Sequence, residues 1–162
     1  VPFMSTTIDR REVTGARELA LKFGNQNQYQ TVTTSVLYGV QWDAILRFLV
    51  SEESPVNDST SWGNYPNATL SYLDSLGNTY QKVQGEARLL QAGSSEQTKA
   101  KNIYDIAGNL YEWTMESAGS SVRVVRGGAY LVNIGQLAAS RYAYAQNTAN
   151  NSIGFRISFY ID

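Results

Sequence analysis

Three glycine- and aromatic-rich segments in the last third of the chain restrict its fold more than any other feature. They are Gly108-Asn109-Leu110-Tyr111-Glu112-Trp113, Arg126-Gly127-Gly128-Ala129-Tyr130 and Gly154-Phe155-Arg156. Glycine permits tight turns and close backbone approach that a Cβ would block. Trp113 and Phe155 supply large apolar anchors. Arg126 and Arg156 are expected partners for buried carboxylates such as Glu112 or Asp105. Such a network holds an irregular fold in one geometry, because losing one partner strands a charge.

Composition narrows the chemistry. At 162 residues the chain is long enough for a real core, and residues 1–162 read as a single domain. It begins at Val1 rather than Met, which reads as a fragment or a processed product with further sequence upstream. The net charge of −1 and pI near 5.5, without a basic stripe, argue against a nucleic-acid partner. No apolar run approaches the length of a membrane span, so no membrane insertion is expected, and no signal peptide is visible. Cysteine and histidine are both absent. That excludes thiol nucleophiles, disulfides, thiolate or imidazole metal sites and histidine acid–base chemistry. The 11 tyrosines stand among many Asn, Ser, Gln and Thr. Rigid amphipathic rings with adaptable amides are the vocabulary of paratopes, although each tyrosine taken alone also fits a half-buried place in a loop-rich fold.

Along the chain, Thr14 is positioned to cap a helix through Phe23, with Ala16, Leu19, Ala20 and Phe23 on one stripe and Gly24 as its stop. Asn25 to Gln30 reads as a polar loop. A second helix starts near Gly39 or Gln41, carries Trp42, Ile45, Leu46 and Leu49 at helical spacing, and ends by Ser51 and Pro55. Residues 57–97 are dominated by turn chemistry (Gly63, Asn64, Pro66, Gly77-Asn78, Gly85, Gly93), with short strands expected at Ala68–Leu73 and Thr79–Val83. Strands are also expected at Leu110–Met115 and Val122–Val125. The alternation of Ile153, Phe155, Ile157, Phe159 and Ile161 predicts one half-buried antiparallel strand closing the domain.

Taken in order, the boxes resemble the signature of the formylglycine-generating (sulfatase-modifying) enzymes. Gly108-Asn109-x-Tyr111-Glu112-Trp113 is similar to that family's Gly-Asn-Val-Trp-Glu-Trp box, Arg126 to Tyr130 to its Arg-Gly-Gly-Ser-Trp/Tyr box, and Gly154-Phe155-Arg156 to its terminal Gly-Phe-Arg. Tyr38-Gly39-Val40-Gln41-Trp42-Asp43-Ala44 resembles a weaker helix-opening motif, so the likeness covers roughly residues 38–162. The resemblance implies an α+β, C-type-lectin-like fold: two short helices packed on small twisted antiparallel sheets with a large loop content. It is most like the variable proteins of diversity-generating retroelements, which use the same scaffold.

The family's catalysis does not carry over. Its cysteine pair falls, by the resemblance, at Val132 and near Leu137, and an aliphatic side chain neither binds copper nor attacks a thiol. Relatives of the ergothioneine type place iron on a histidine-rich motif, and this chain has no histidine. No catalytic residue, metal ligand or cofactor is therefore expected. Family members often hold structural calcium near the Gly-Asn-x-x-Glu-Trp box. Asp105, Asn109 and Glu112 are oxygen donors of that kind but too few for a full shell, and they equally suit turn capping and arginine pairing.

Residues 130–152 lie between two fixed boxes and lack core periodicity, which suits a recognition surface on a rigid frame. The candidate contact residues are Tyr130, Leu131, Val132, Asn133, Ile134, Gln136, Tyr142, Tyr144, Gln146, Asn147, Asn150 and Asn151. Arg141 is an alternative frame residue, because the family has an arginine at that distance before Gly-Phe-Arg. By resemblance, adenine-directed diversification acts near this position, and the mixture of Asn, Tyr, Ser, Ile, Ala, Val and Leu is compatible with it. The expected function is noncatalytic binding of a protein or glycan on another cell, in an extracellular setting on a bacterial surface or phage virion. Two other readings stay open: a divergent modifying enzyme, and a structural domain of a phage tail or surface protein.

Overall fold

The computed structural model describes residues 3–4, 15–132 and 136–161. In chain order the elements are β1 (Phe3–Met4), α1 (Ala16–Gln26), β2 (Val32–Val36), α2 (Gly39–Leu49), β3 (Leu70–Leu73), β4 (Thr79–Lys82), β5 (Lys99–Ala100) and β6 (Ile103–Tyr104). The last third adds β7 (Tyr111–Gly119), β8 (Val122–Arg126), β9 (Arg141–Ala145), β10 (Ile153–Phe155) and β11 (Ile157–Ile161). Single 3₁₀ turns lie at Ser59–Ser61 and Glu96–Thr98.

Helix α1 buries Ala16, Ala20 and Gly24, and it does not stop at Gly24 but runs on to Gln26. The glycine serves close approach instead of termination. The Thr34 hydroxyl of β2 donates to the Ala20 carbonyl (2.6 Å) and accepts from the Gly24 N–H (3.1 Å). A Cβ on Gly24 would lie 3.3 Å from the Val32 carbonyl oxygen. Helix α2 starts at Gly39, the first of the two expected starting points, with the Gln41 side chain accepting from the Tyr38 N–H at 2.8 Å. It buries Trp42, Leu46 and Leu49.

The principal sheet has the order β1-β10-β7-β8-β9. Its neighbours are antiparallel except β10 and β7, which run parallel in the register Ile153↔Tyr111, Gly154↔Glu112, Phe155↔Trp113. Strand β11 pairs with β2 instead. The strand expected to run unbroken from Ile153 to Ile161 is thus two strands separated at Arg156. The guanidinium of Arg156 turns onto Glu112, and the chain leaves β7 to pair with β2. Phe159 and Ile161, expected on the buried face, are 52% and 86% exposed.

Two apolar clusters flank this arrangement. One gathers Trp42, Leu46, Leu49, Trp62, Tyr65, Ile106 and Ala138 around α2. The other gathers Ala16, Ala20, Val36, Trp113, Val125, Ile153 and Phe155 between α1 and the sheet. Residues 57–97 contain the β3–β4 hairpin, and polar clasps hold the rest. Asn109 accepts from Asn64 Nδ2 and the Leu90 N–H, both at 3.0 Å, and donates to the Leu90 carbonyl. The Lys82 ammonium, fully buried, donates to the carbonyls of Tyr65 (2.6 Å) and Ala68 (2.7 Å), and burial lowers its pKa. No helix among the described residues is long and apolar enough to cross a membrane.

Candidate functional site

The segment between the second and third boxes is tied down at four places. The Tyr130 N–H donates to the Asn109 carbonyl (2.9 Å), and the Tyr111 N–H donates to the Ser152 carbonyl (2.9 Å), so the excursion opens and closes on residues almost adjacent in sequence. In its middle, the Ala138 carbonyl accepts from the Trp42 indole (3.0 Å), and the Ala138 N–H donates to the Ser59 hydroxyl (2.9 Å). Residues 141–145 form β9 against β8. The turn at Gly128 (φ +76°) passes so close to the Gln136 carbonyl that a Cβ would clash.

Strand alternation sets the two faces of β9. Tyr142 and Tyr144 lie 6.0 and 6.2 Å, ring to ring, from Tyr111, and Tyr144 meets Trp113 edge-on at 6.5 Å. Tyr111 is buried, Tyr142 is 38% exposed, and Val132 and Tyr144 pack against the same cluster. Burial pushes the Tyr111 phenol's pKa up, and the neighbouring phenols of Tyr144, Tyr142 and Tyr65 add to it. On the other face, Arg141 reaches both Asp43 oxygens (2.8 and 2.6 Å) and Glu116 (3.1 Å). The fully buried Arg126 contacts the same two carboxylates, at 3.0 Å to Asp43 and 3.5 Å to Glu116. It also lies over the Trp42 ring.

The candidate residues therefore divide. Leu131, Tyr142, Asn147, Asn150 and Asn151 are exposed, and Tyr130, Val132, Gln136, Tyr144 and Gln146 are half-buried. Asn133 and Ile134 lie outside the described residues. Asn150 also braces its own loop, its side-chain oxygen accepting from the Ser152 N–H and hydroxyl. Sequence reasoning missed Tyr111. Its signal was its place in the first box, two residues before Trp113 and hence on the same strand face.

Arg156 pairs with Glu112 through two hydrogen bonds of 2.9 and 2.7 Å, as the boxes suggest. Burial pushes the Glu112 carboxyl up, and Arg156 opposes that. Arg126 takes Asp43 and Glu116 instead of Glu112 or Asp105. The three oxygen donors weighed for calcium are each engaged by protein groups. Asn109 clasps Asn64 and Leu90, Glu112 holds Arg156, and Asp105 accepts from the Gly93 N–H and the Thr98 hydroxyl. Among the described residues no group of three or more carboxylates, histidines or cysteines is placed to hold a metal. A cavity of about 310 Å³ is lined by Asp105, Asn109 and Glu112 together with Phe23, Tyr104 and Arg156 among others, and none of the candidate contact residues lines it.

The model of the sulfatase-modifying factor enzyme 1-like domain matches residues 56–159. The chain belongs to that family. Among solved structures, variable protein 1 of Treponema denticola is similar at TM-score 0.55 and 15% identity, covering 80% of this chain and 48% of that one. The crystal structure of CarF is similar at TM-score 0.54 and 17% identity, covering 85% of this chain and 61% of that one. The chain thus spans about half to three-fifths of the length of either neighbour. Comparison with curated protein sequences gave no match. The family and these neighbours establish the C-type-lectin-like α+β fold.

Proposed function

We propose that this domain is a noncatalytic binding module, a variable protein of the retroelement-diversified kind. It recognises a protein or glycan on a cell or phage-host surface through residues 130–151. The observation that carries this reading is the exposure of Leu131, Tyr142, Asn147, Asn150 and Asn151 on a segment whose main chain is anchored at both ends. Exposed aromatic and aliphatic side chains supply apolar area, and carboxamides supply adjustable hydrogen bonds. By the resemblance, the family's cysteine positions fall at Val132, which packs on the core, and near Leu137. The setting is extracellular, on a bacterial surface or phage virion.

The test is binding of labelled domain to candidate host cells, comparing wild type with a variant in which Leu131, Tyr142 and Asn147 are all replaced by alanine. The reading expects binding to be lost while the unfolding midpoint is kept. Retained binding would move the contact surface elsewhere. At the level of the locus, a reverse transcriptase and a template repeat differing at adenines should lie nearby, and their absence would leave a binder without diversification.

A second reading has one specific support, the membership of a family named for a modifying enzyme. It requires turnover of sulfatase-type peptides by the purified domain with added copper or iron, and inertness under both conditions would remove it.

A further inference from the structure

Strand β9 is the outer edge of the five-stranded sheet. Just past its last pair, Ala145↔Val122, the Gln146 N–H donates to the Ser121 carbonyl at 2.9 Å. In an antiparallel ladder, pairs that exchange hydrogen bonds alternate with pairs that do not. Counting back by twos makes Tyr144↔Arg123 and Tyr142↔Val125 the bonded pairs. The main-chain groups of Arg141, Ala143 and Ala145 therefore point away from β8. Two further bonds agree with this phase. The Ala145 carbonyl turns outward to accept from the Thr148 N–H, and the carbonyl of Val124, opposite Ala143, turns toward β7 to accept from the Thr114 hydroxyl. The N–H and C=O of Arg141 and Ala143, and the N–H of Ala145, have no hydrogen-bond partner among the described residues.

Exposed sheet edges are normally blunted by proline, a bulge or an inward charge. Strand β9 reads Arg-Tyr-Ala-Tyr-Ala, pairs with β8 without a register shift, and is exposed at every residue except the half-buried Tyr144. We propose that β9 is a docking edge for an extended segment of a partner protein, which adds to the sheet as a further strand. The proposal rests on the binding reading above and narrows the ligand to polypeptide. The free donors and acceptors recur about every 6.8 Å, twice the rise per residue of a strand. An extended main chain matches that spacing, and a glycan's hydroxyls have no such period. On the Tyr142 and Tyr144 face the incoming strand presents apolar or aromatic side chains. On the other face, where Arg141 is neutralised by Asp43 and Glu116, it presents polar ones. Pairing of two copies through so short a strand falls well short of the roughly 1,200 Å² that a specific interface needs. A partner protein can extend the contact over exposed Leu131, Asn147 and Asn150.

The probe is a soluble peptide of alternating threonine and valine with lysines at both ends. It is prepared unmodified and with alternate main-chain nitrogens methylated, and each form is titrated against the whole domain by amide NMR. The unmodified peptide should slow exchange of the Ala143 and Ala145 amides, while those of Tyr142 and Tyr144 are protected from the start. Methylation should weaken binding by about tenfold or more. Ala143→Pro should do the same and still fold, because the N–H it removes faces solvent. Should that variant unfold, the methylated peptide on the unaltered domain decides alone. Equal binding of both peptides, protection at other amides, or no binding at about millimolar peptide overturns the proposal. Self-association that protects the same amides without peptide overturns it in favour of a second copy. If Ala143→Pro still binds host cells while the Leu131, Tyr142 and Asn147 variant does not, strand addition fails and the binding reading stands.

Discussion

Trp113 and Tyr144 meet edge to face, with ring centroids 6.5 Å apart and planes at 83°. A tyrosine on the candidate recognition strand is therefore seated on the fully buried tryptophan of the first box. Tyr144→Ala should cost about 1–3 kcal/mol, a partly buried aromatic truncation. Tyr142→Ala, more exposed and without Trp113 beneath it, should cost less than about 1 kcal/mol. Urea unfolding of the two variants checks the order, and equal losses would mean that both tyrosines serve the core.

Asp43 is the shared acceptor of the buried Arg126 and the half-exposed Arg141. Removing it strands a buried guanidinium that burial already destabilises, leaving Glu116 as its remaining carboxylate. Asp43→Ala should destabilise by about 2–4 kcal/mol. Arg141→Ala, an exposed pair screened by solvent, should cost at most about 1 kcal/mol. Thermal unfolding compared at low and high salt separates the two, because only the second loss should fade with salt.

Tyr65 is buried, and burial pushes its phenol from 10.0 up to about 12. A group whose folded pKa is raised contributes stability that is complete below its unfolded pKa and lost as pH rises through the folded value. The domain should therefore lose about 2–3 kcal/mol between pH 10 and about 12 from this residue. The raised Tyr111 acts in the same direction. Denaturation midpoints across that window should fall less steeply for Tyr65→Phe, and an unchanged slope would rule the residue out.

Among the described residues, Lys82 meets no carboxylate at contact distance. Its ammonium instead satisfies the Tyr65 and Ala68 carbonyls inside the loop region. Lys82→Met keeps the stem and orphans both acceptors, which should cost about 2–4 kcal/mol. Limited proteolysis should then cut within residues 66–90 earlier than in wild type. Unchanged cleavage would show that the loop is held by Asn64 and Asn109 alone.

What could be read from the sequence was what depends on local pattern or rigid residue types. The α2 stripe, the Leu70–Leu73 and Thr79–Lys82 strands and the glycine boxes fall where expected. The Arg156–Glu112 pair could be anticipated because both residues belong to boxes. The misses were relationships set at long range. Gly24 looks like a helix stop, yet it is a point of close approach created by Thr34 of a strand the pattern does not announce. Arg126 finds its acceptor 83 residues away on a helix. Strand β9 reads as loop because its small and aromatic residues sit on a sheet edge, where no face is fully buried and alternation carries little signal.

The bonds from the Tyr130 N–H to the Asn109 carbonyl and from the Tyr111 N–H to the Ser152 carbonyl bring both ends of the excursion to one spot on the first box. Lengthening such a closed loop costs only about 0.6 kcal/mol per doubling. Added residues near Asn147–Asn151 would therefore leave the frame almost unaffected. The stretch that follows β9 should therefore accept insertions while the sheet beneath it stays the same.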